Sequence, residues 1–246
     1  CFGSRRAGRR PGSPRLRAKR QLWGRMAGEA ALRVAGQRAA LWRRRGGREE
    51  GRGVGVVVLH PHPLMGGDMD NNVVVAVCAE LQSRGAVAAT LRFDFSQDLQ
   101  ASASEVLAAL ARLREEPHVA SVACVGYSFG ALVTLGLLAQ SGAEQRAESK
   151  PLSGAALIAL PTDHMQAGWP ETLGKLVEGG LSLALVTGDR DVHCREEVLR
   201  SLHRKVGPAA SLLVVPNADH FFRAASWLQE AALAAAEAVT VRRAPL

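Results

Sequence analysis

The feature that most narrows what this chain can fold into is a serine held between two glycines, Gly126-Tyr127-Ser128-Phe129-Gly130. The small and β-branched residues from Val119 to Val125 read as a buried strand, and the apolar segment from Ala131 to Gln140 reads as a helix. A serine at so sharp a strand-to-helix turn takes a strained backbone, and glycine two residues to either side lets the chain pass close to itself. The turn lifts the hydroxyl above the sheet. It also sets it at a helix N-terminus, where unpaired N–H groups and the positive dipole end favour a developing oxyanion. Five residues alone are a weak signal, and the strand and helix around them are what give the motif its meaning.

The same alternation continues on both sides. Val54 to His60 is a continuous β-branched run, the pattern of a strand buried on both faces. Asp70 to Arg84 has helical spacing and stops at Gly85, and Ala86 to Phe93 is a second buried strand, so the three make a right-handed crossover. Leu99 to Glu116 reads as a helix stopped by Pro117, and residues 141 to 151 as a polar loop. Strands follow at Ala155 to Leu160, Leu181 to Thr187 and Ser211 to Val215. Helices are expected over Arg195 to Val206 and Phe221 to Val239. Ahead of them all, Ala31 to Trp42 alternates weakly and reads as an entry hairpin with Arg43 to Gly53 as its loop. Strands alternating with helices imply a doubly wound, mostly parallel sheet, whose functional end is the carboxyl end of its strands.

Length and charge bound the rest. At 246 residues and 47% apolar content the chain can bury one substantial core. Its net charge of +8 invites a nucleic-acid or membrane reading until it is divided along the chain. Residues 1 to 52 hold 16 Lys and Arg against 3 acids, and residues 53 to 246 hold 15 against 20. The positive charge belongs to the front of the chain, and the rest is mildly acidic. Residues 1–27 are rich in Arg, Gly and Pro and read as a basic tail ahead of one domain spanning residues 28–246. The chain opens with Cys1 and not Met, which points to a fragment or a processed product, with Met26 as an alternative start. A cytoplasmic location follows if the tail is merely solvated, and an organellar one if it is a transit segment. No apolar run is long enough to span a bilayer. Cys1, Cys78, Cys124 and Cys194 form no C-x-x-C pair, so neither zinc nor a disulfide framework is expected.

A serine hydroxyl needs a base to take its proton, and the base needs a carboxylate to hold its tautomer. Both are expected at the ends of later strands. Thr187-Gly188-Asp189-Arg190-Asp191 follows one, and Pro216-Asn217-Ala218-Asp219-His220 the next, which makes Ser128, Asp191 and His220 the candidate set. Asp189 stays open as the alternative acid.

These segments resemble the α/β-hydrolases, and within them the small dienelactone-hydrolase-like or serine-aminopeptidase-like proteins that open with His-Pro-His-Pro. The likeness is carried by His60-Pro61-His62-Pro63-Leu64-Met65-Gly66-Gly67-Asp68-Met69-Asp70-Asn71, Leu91-Arg92-Phe93-Asp94-Phe95, the serine pentapeptide, Gly188-Asp189-Arg190-Asp191 and Ala218-Asp219-His220-Phe221-Phe222. It runs over residues 53 to 240 or so and implies the α/β-hydrolase fold with a nucleophile elbow. It also implies a serine esterase acting on a small-molecule acyl substrate without metal or cofactor, with Asp191 as the acid. Backbone donors from Phe129 and from His62 or Leu64 would form the oxyanion hole, since Pro63 has no N–H.

His60 and His62 also admit a metal reading, but no third ligand follows at a suitable spacing. His118, His164, His193 and His203 read as surface residues. The short stretch between Leu160 and Leu181 leaves little room for a cap, with Met165 and Trp169 placed either on the pocket or on the sheet edge. Few aromatics, 4% of residues, favour an aliphatic pocket and a small or medium acyl group. Two competing readings stand beside the hydrolase: a non-catalytic scaffold of the same fold, and an RNA- or membrane-associating protein acting through its basic tail.

Overall fold

The structure, a computed structural model, describes residues 28–45 and 52–241. The reading of residues 1–27 as a basic tail lies outside the described residues, as do residues 46–51 and 242–246.

The first described elements are strands β1 (Glu29–Val34) and β2 (Gln37–Arg43), an antiparallel pair. The hairpin turns at Ala35-Gly36, both at positive φ. Its turn is therefore two residues long, and the stretch after Arg43 is the connection onward, not the hairpin loop. Ala-Gly lacks the Asn or Asp that marks such turns in a sequence.

Alternating elements then follow: β3 (Gly53–Leu59), α1 (Asn72–Gln82), β4 (Val87–Phe93), α2 (Leu99–Arg114), β5 (Val119–Tyr127), α3 (Phe129–Ala147) and β6 (Leu152–Ile158). The chain closes with α4 (Trp169–Glu178), β7 (Ser182–Gly188), α5 (Glu196–Val206), β8 (Ser211–Val215) and α6 (Ala225–Thr240). The sheet has eight strands in the order β1-β2-β4-β3-β5-β6-β7-β8. Strands β4, β3 and β5 to β8 run parallel, and only the hairpin is antiparallel to its neighbours.

Period-two alternation splits the strand residues between two cores. In β3, Val57 and Leu59 face one side with Leu110 and Leu113 of α2, Leu135 of α3, Leu173 of α4 and Leu199 of α5. Val54, Val56 and Val58 face the other with Val73, Val77 and Leu81 of α1 and Ala231, Ala235 and Ala236 of α6. Both faces of the central strands are buried, which is why β3 reads as an unbroken apolar run.

Helix α3 continues through residues 141–147, where the sequence reads as loop. Glu144 there faces solvent while Gln145 is buried and accepts from Arg114, and Gly142 lets Leu176 of α4 come in so closely that a Cβ would stand 2.6 Å from Leu176 Cδ1. Helix α4 itself is an element the sequence reading missed. It carries Trp169, Leu173, Leu176 and Val177 on one buried side, and packs against α3 and α5. Among the described residues no helix is long and apolar enough to cross a membrane.

Candidate active site

The site forms where β3, β5, β7 and β8 end. Strand β5 stops at Tyr127 and α3 starts at Phe129, leaving Ser128 alone in the turn at φ 54° and ψ −117°. The glycine spacing has a direct steric cause. A Cβ on Gly126 would lie 2.2 Å from the Gly130 carbonyl oxygen, and one on Gly130 would lie 2.7 Å from that of Leu59. The strain at Ser128 is held by its neighbours: its N–H donates to Ile158 at 2.8 Å, and its carbonyl accepts from Ala131 and Leu132.

Strands β7 and β8 deliver the other two side chains. Their end loops touch closely, since a Cβ on Gly188 would lie 2.1 Å from the Ala218 carbonyl oxygen, and Arg190 N–H donates to that oxygen at 3.0 Å. Ser128 Oγ lies 2.9 Å from His220 Nε2. His220 Nδ1 lies 2.9 Å from each carboxylate oxygen of Asp191. A carboxylate only accepts, so Nδ1 carries the proton and Nε2 is left to accept from the serine hydroxyl. Asp191 Oδ1 also accepts from the N–H groups of His193 and Cys194, both at 2.9 Å. Its side chain is fully shielded from solvent. Asp189, the alternative acid, is exposed. Tyr127 donates its hydroxyl to the His220 carbonyl at 2.7 Å, and burial pushes the phenol's pKa up, keeping it a donor.

The loop from Pro61 to Asn71 forms the opposite wall. His62 and Phe129 meet there, ring centroids 4.7 Å apart. Phe129 opens α3, so its N–H lies in the first turn, where helices leave donors unpaired. Leu64 does not share that position. Pro63–Met65 is a 3₁₀ turn in which the Leu64 N–H donates to His62 Nδ1 at 3.2 Å, and the Leu64 side chain is 75% exposed. Of the two loop donors expected, the Leu64 N–H is thus already engaged by a side chain. Gly67 makes the loop possible, since a Cβ there would lie 2.0 Å from the Pro61 carbonyl oxygen.

His60 is buried and fully engaged. Nε2 accepts from Phe95 N–H at 3.1 Å, Nδ1 donates to the Pro61 carbonyl at 2.6 Å, and the ring stacks on Phe95 at 3.9 Å. Burial pushes its pKa down, which favours the neutral ring this pairing requires. Among the described residues no group of three or more His, Cys, Asp or Glu is arranged to hold a metal.

The loop is held from behind by charge. Arg92 of β4, wholly buried, forms a fork on Glu29 of β1 at 2.7 and 3.0 Å, and also reaches the Met69 carbonyl and Asp70. Arg38 of β2 binds Asp70 and Asp94, and Asp94 accepts from Met69 N–H at 2.9 Å.

These walls enclose a cavity of about 430 Å³ lined by His62, Met65, Tyr127, Ser128, Phe129, Leu132, His220 and Phe221, among others. His164 and His193 line it too, exposed as expected but at the mouth of the site. The His193 ring stands edge-on to His220 at 4.8 Å. Asn71, which ends the His-Pro-His-Pro segment, also lines the cavity, as does Pro161, which the sequence did not single out. Trp169 is absent from the lining and packs in the core over Gly136. Met165 likewise packs against the core.

Solved structures with the same arrangement of strands and helices are numerous. A putative α/β-hydrolase of unknown function from Agrobacterium tumefaciens superposes with a TM-score of 0.64 at 23% identity, covering 83% of this chain and 91% of that one. An α/β serine hydrolase without a lid from Xanthomonas campestris gives 0.64 at 20%, covering 84% and 93%. The chain has the α/β-hydrolase fold. A dienelactone hydrolase from Anabaena variabilis gives 0.65 at 18% identity, covering 85% of this chain and 94% of its own. No family model matches the chain, and no curated protein matches it either. The stretch between β6 and β7 places its 3₁₀ turn at Thr162–His164 at the rim of the cavity, while α4 packs against α3 and α5 away from the serine.

Proposed function

We propose that this chain is a serine hydrolase of esters or related small acyl compounds, with Ser128 as nucleophile, His220 as general base and acid, and Asp191 as the group that orients His220. One observation carries the reading: a single line of short hydrogen bonds joins Ser128 Oγ, both ring nitrogens of His220 and both oxygens of Asp191. Ser128 Oγ attacks the acyl carbon while His220 Nε2 takes the hydroxyl proton. The carbonyl oxygen gains the negative charge, and the N–H groups of Phe129 and His62 receive it. His220 then gives its proton to the leaving alcohol as the bond to the acyl carbon breaks. Water, deprotonated by the same imidazole, attacks the acyl enzyme and releases the acid with the serine restored. Every step uses side chains and backbone of this chain alone.

The nearby structures support the assignment in kind, since they include a serine hydrolase without a lid and a dienelactone hydrolase. The test is covalent. A fluorophosphonate should label the protein, and Ser128→Ala should abolish labelling and lower hydrolysis of a short p-nitrophenyl ester by roughly 10³-fold or more. The variant keeps the turn, so its stability should change by about 1 kcal/mol or less. If the parent fails to label and the variant matches it in ester hydrolysis, the scaffold reading replaces this one.

A further inference from the structure

Exposed apolar side chains are ordinary when scattered, and informative when they cluster. Six large hydrophobics are exposed among the described residues, and four of them crowd the site end: Leu64 (75%), Met65 (85%), Val192 (77%) and Phe221 (49%). They come from three separate loops, those after β3, β7 and β8. Met65 and Phe221 themselves line the cavity, and Val192 adjoins His193, which does too. The cavity thus carries apolar side chains on its inner wall at Phe129 and Leu132 and at its rim at Met65 and Phe221.

Two further details define what such a surface fits. No Asp, Glu, Lys or Arg lines the cavity, so its polar contacts are imidazoles, Asn71, hydroxyls and backbone. Phe221 is also fixed in place: Arg223 lies over its ring at 4.6 Å while its edge meets His220 at 5.6 Å, and Arg223 is itself paired with Asp219. A fixed ring costs little entropy when a ligand covers it.

We infer that the rim of Leu64, Met65, Val192 and Phe221 is a chain-binding subsite, and that the substrate is a neutral ester whose unbranched aliphatic acyl chain reaches from the inner cavity onto that rim. The inference rests on the serine-hydrolase reading. Full burial of a methylene is worth about four-fold in binding, and burial on one side only about two-fold. Six added methylenes from acetate to octanoate should thus raise kcat/KM by roughly 60-fold or more at about two-fold each. A chain whose carboxylate lies inside the cavity meets no cation there and should lose most of that gain.

The experiment measures kcat/KM for p-nitrophenyl esters from acetate to octanoate, below the critical micelle concentration, in the parent and in the double variant Met65→Gln, Val192→Gln. Each protein is normalised to its own acetate rate. Both positions are highly exposed, so the variant should fold. A steep rise in the parent that flattens in the variant is the expected result. A flat series in the parent, or the same slope in both proteins, overturns the subsite while leaving the hydrolase reading intact. An abrupt rise in rate above the critical micelle concentration overturns it in favour of a lipid surface as the occupant. If no ester is hydrolysed at all, the hydrolase reading fails separately. The subsite is then judged by equilibrium binding of the octanoate and acetate esters to Ser128→Ala protein with and without the rim substitutions, and equal affinities overturn it.

Discussion

The two walls of the cavity are held in place by different physics. On the wall that carries Ser128, Asp191 and His220, backbone meets backbone: Gly126, Gly130 and Gly188 permit contacts that any side chain would block. On the wall that carries His62, the chain between β3 and α1 pairs with no strand and is tied down by Arg92, Arg38, Asp70, Asp94 and Glu29. The first wall is set by shape, and salt should scarcely move it. The second is set by charge, so its stability can be tuned without touching the sheet.

The largest effect should come from breaking the first wall at its acid. Asp191→Asn leaves the loop's shape but removes the acceptor that fixes the His220 tautomer, and ester turnover should fall by about 10³- to 10⁴-fold. Asp189→Asn should change it less than two-fold. Reversed effects would move the acid to Asp189.

The charged wall is next. Arg92→Met removes the buried cation that Glu29 and Asp70 share and should cost about 3–5 kcal/mol in a denaturant titration, with kcat falling as the loop loosens. Arg38→Ala removes two pairs whose arginine is half open to solvent and should cost about 1 kcal/mol or less, shrinking further in high salt. Equal losses for the two variants would contradict the contrast between buried and exposed charge.

The smallest effect separates the walls by pH. Burial lowers the His60 pKa in the fold, so the unfolded chain takes up a proton that the folded chain resists. Stability from this group is complete above about pH 6.5, the ordinary imidazole value, and declines as pH falls through it. Asp94 acts in a lower window. Burial alone would raise its pKa, but the bonds from Arg38 and Met69 N–H prevail and lower it, so its contribution is lost only as pH falls below the usual carboxylate range. Melting temperatures between pH 7.5 and 5.5 should fall for the parent and stay flatter for His60→Gln. A parallel fall in both proteins would assign the pH dependence elsewhere.

The first wall was largely legible in the sequence and the second was not. Ser128, Asp191 and His220 each follow a strand within a few residues, so local patterning and chain order were enough to bring them together on paper. Arg92 and Glu29 stand 63 residues apart, and nothing local marks them as partners. Of the two loop residues read as candidate donors, His62 or Leu64, the sequence could not show that the His62 side chain itself takes the Leu64 N–H, a detail set by one rotamer. His164 and His193 gave no signal because their neighbours are polar loops, and only the folded rim shows what they face. Helix α4 was hidden by Pro170, Gly174 and Gly179, which make a sequence look broken even where Trp169, Leu173, Leu176 and Val177 keep a helical stripe.

The order of strands in the sheet also bears on how the molecule assembles. The β1–β2 hairpin is closed by a two-residue turn and needs nothing else in order to pair, yet its neighbour in the sheet is β4, reached only after β3 and α1 have been made. Loop closure over that distance must precede the pairing of Arg92 with Glu29, which makes the buried pair a late contact on the route to the native state. Substitutions at Arg92 should accordingly speed unfolding while leaving the refolding rate nearly untouched, and stopped-flow refolding would reveal an early role as a slowed folding limb.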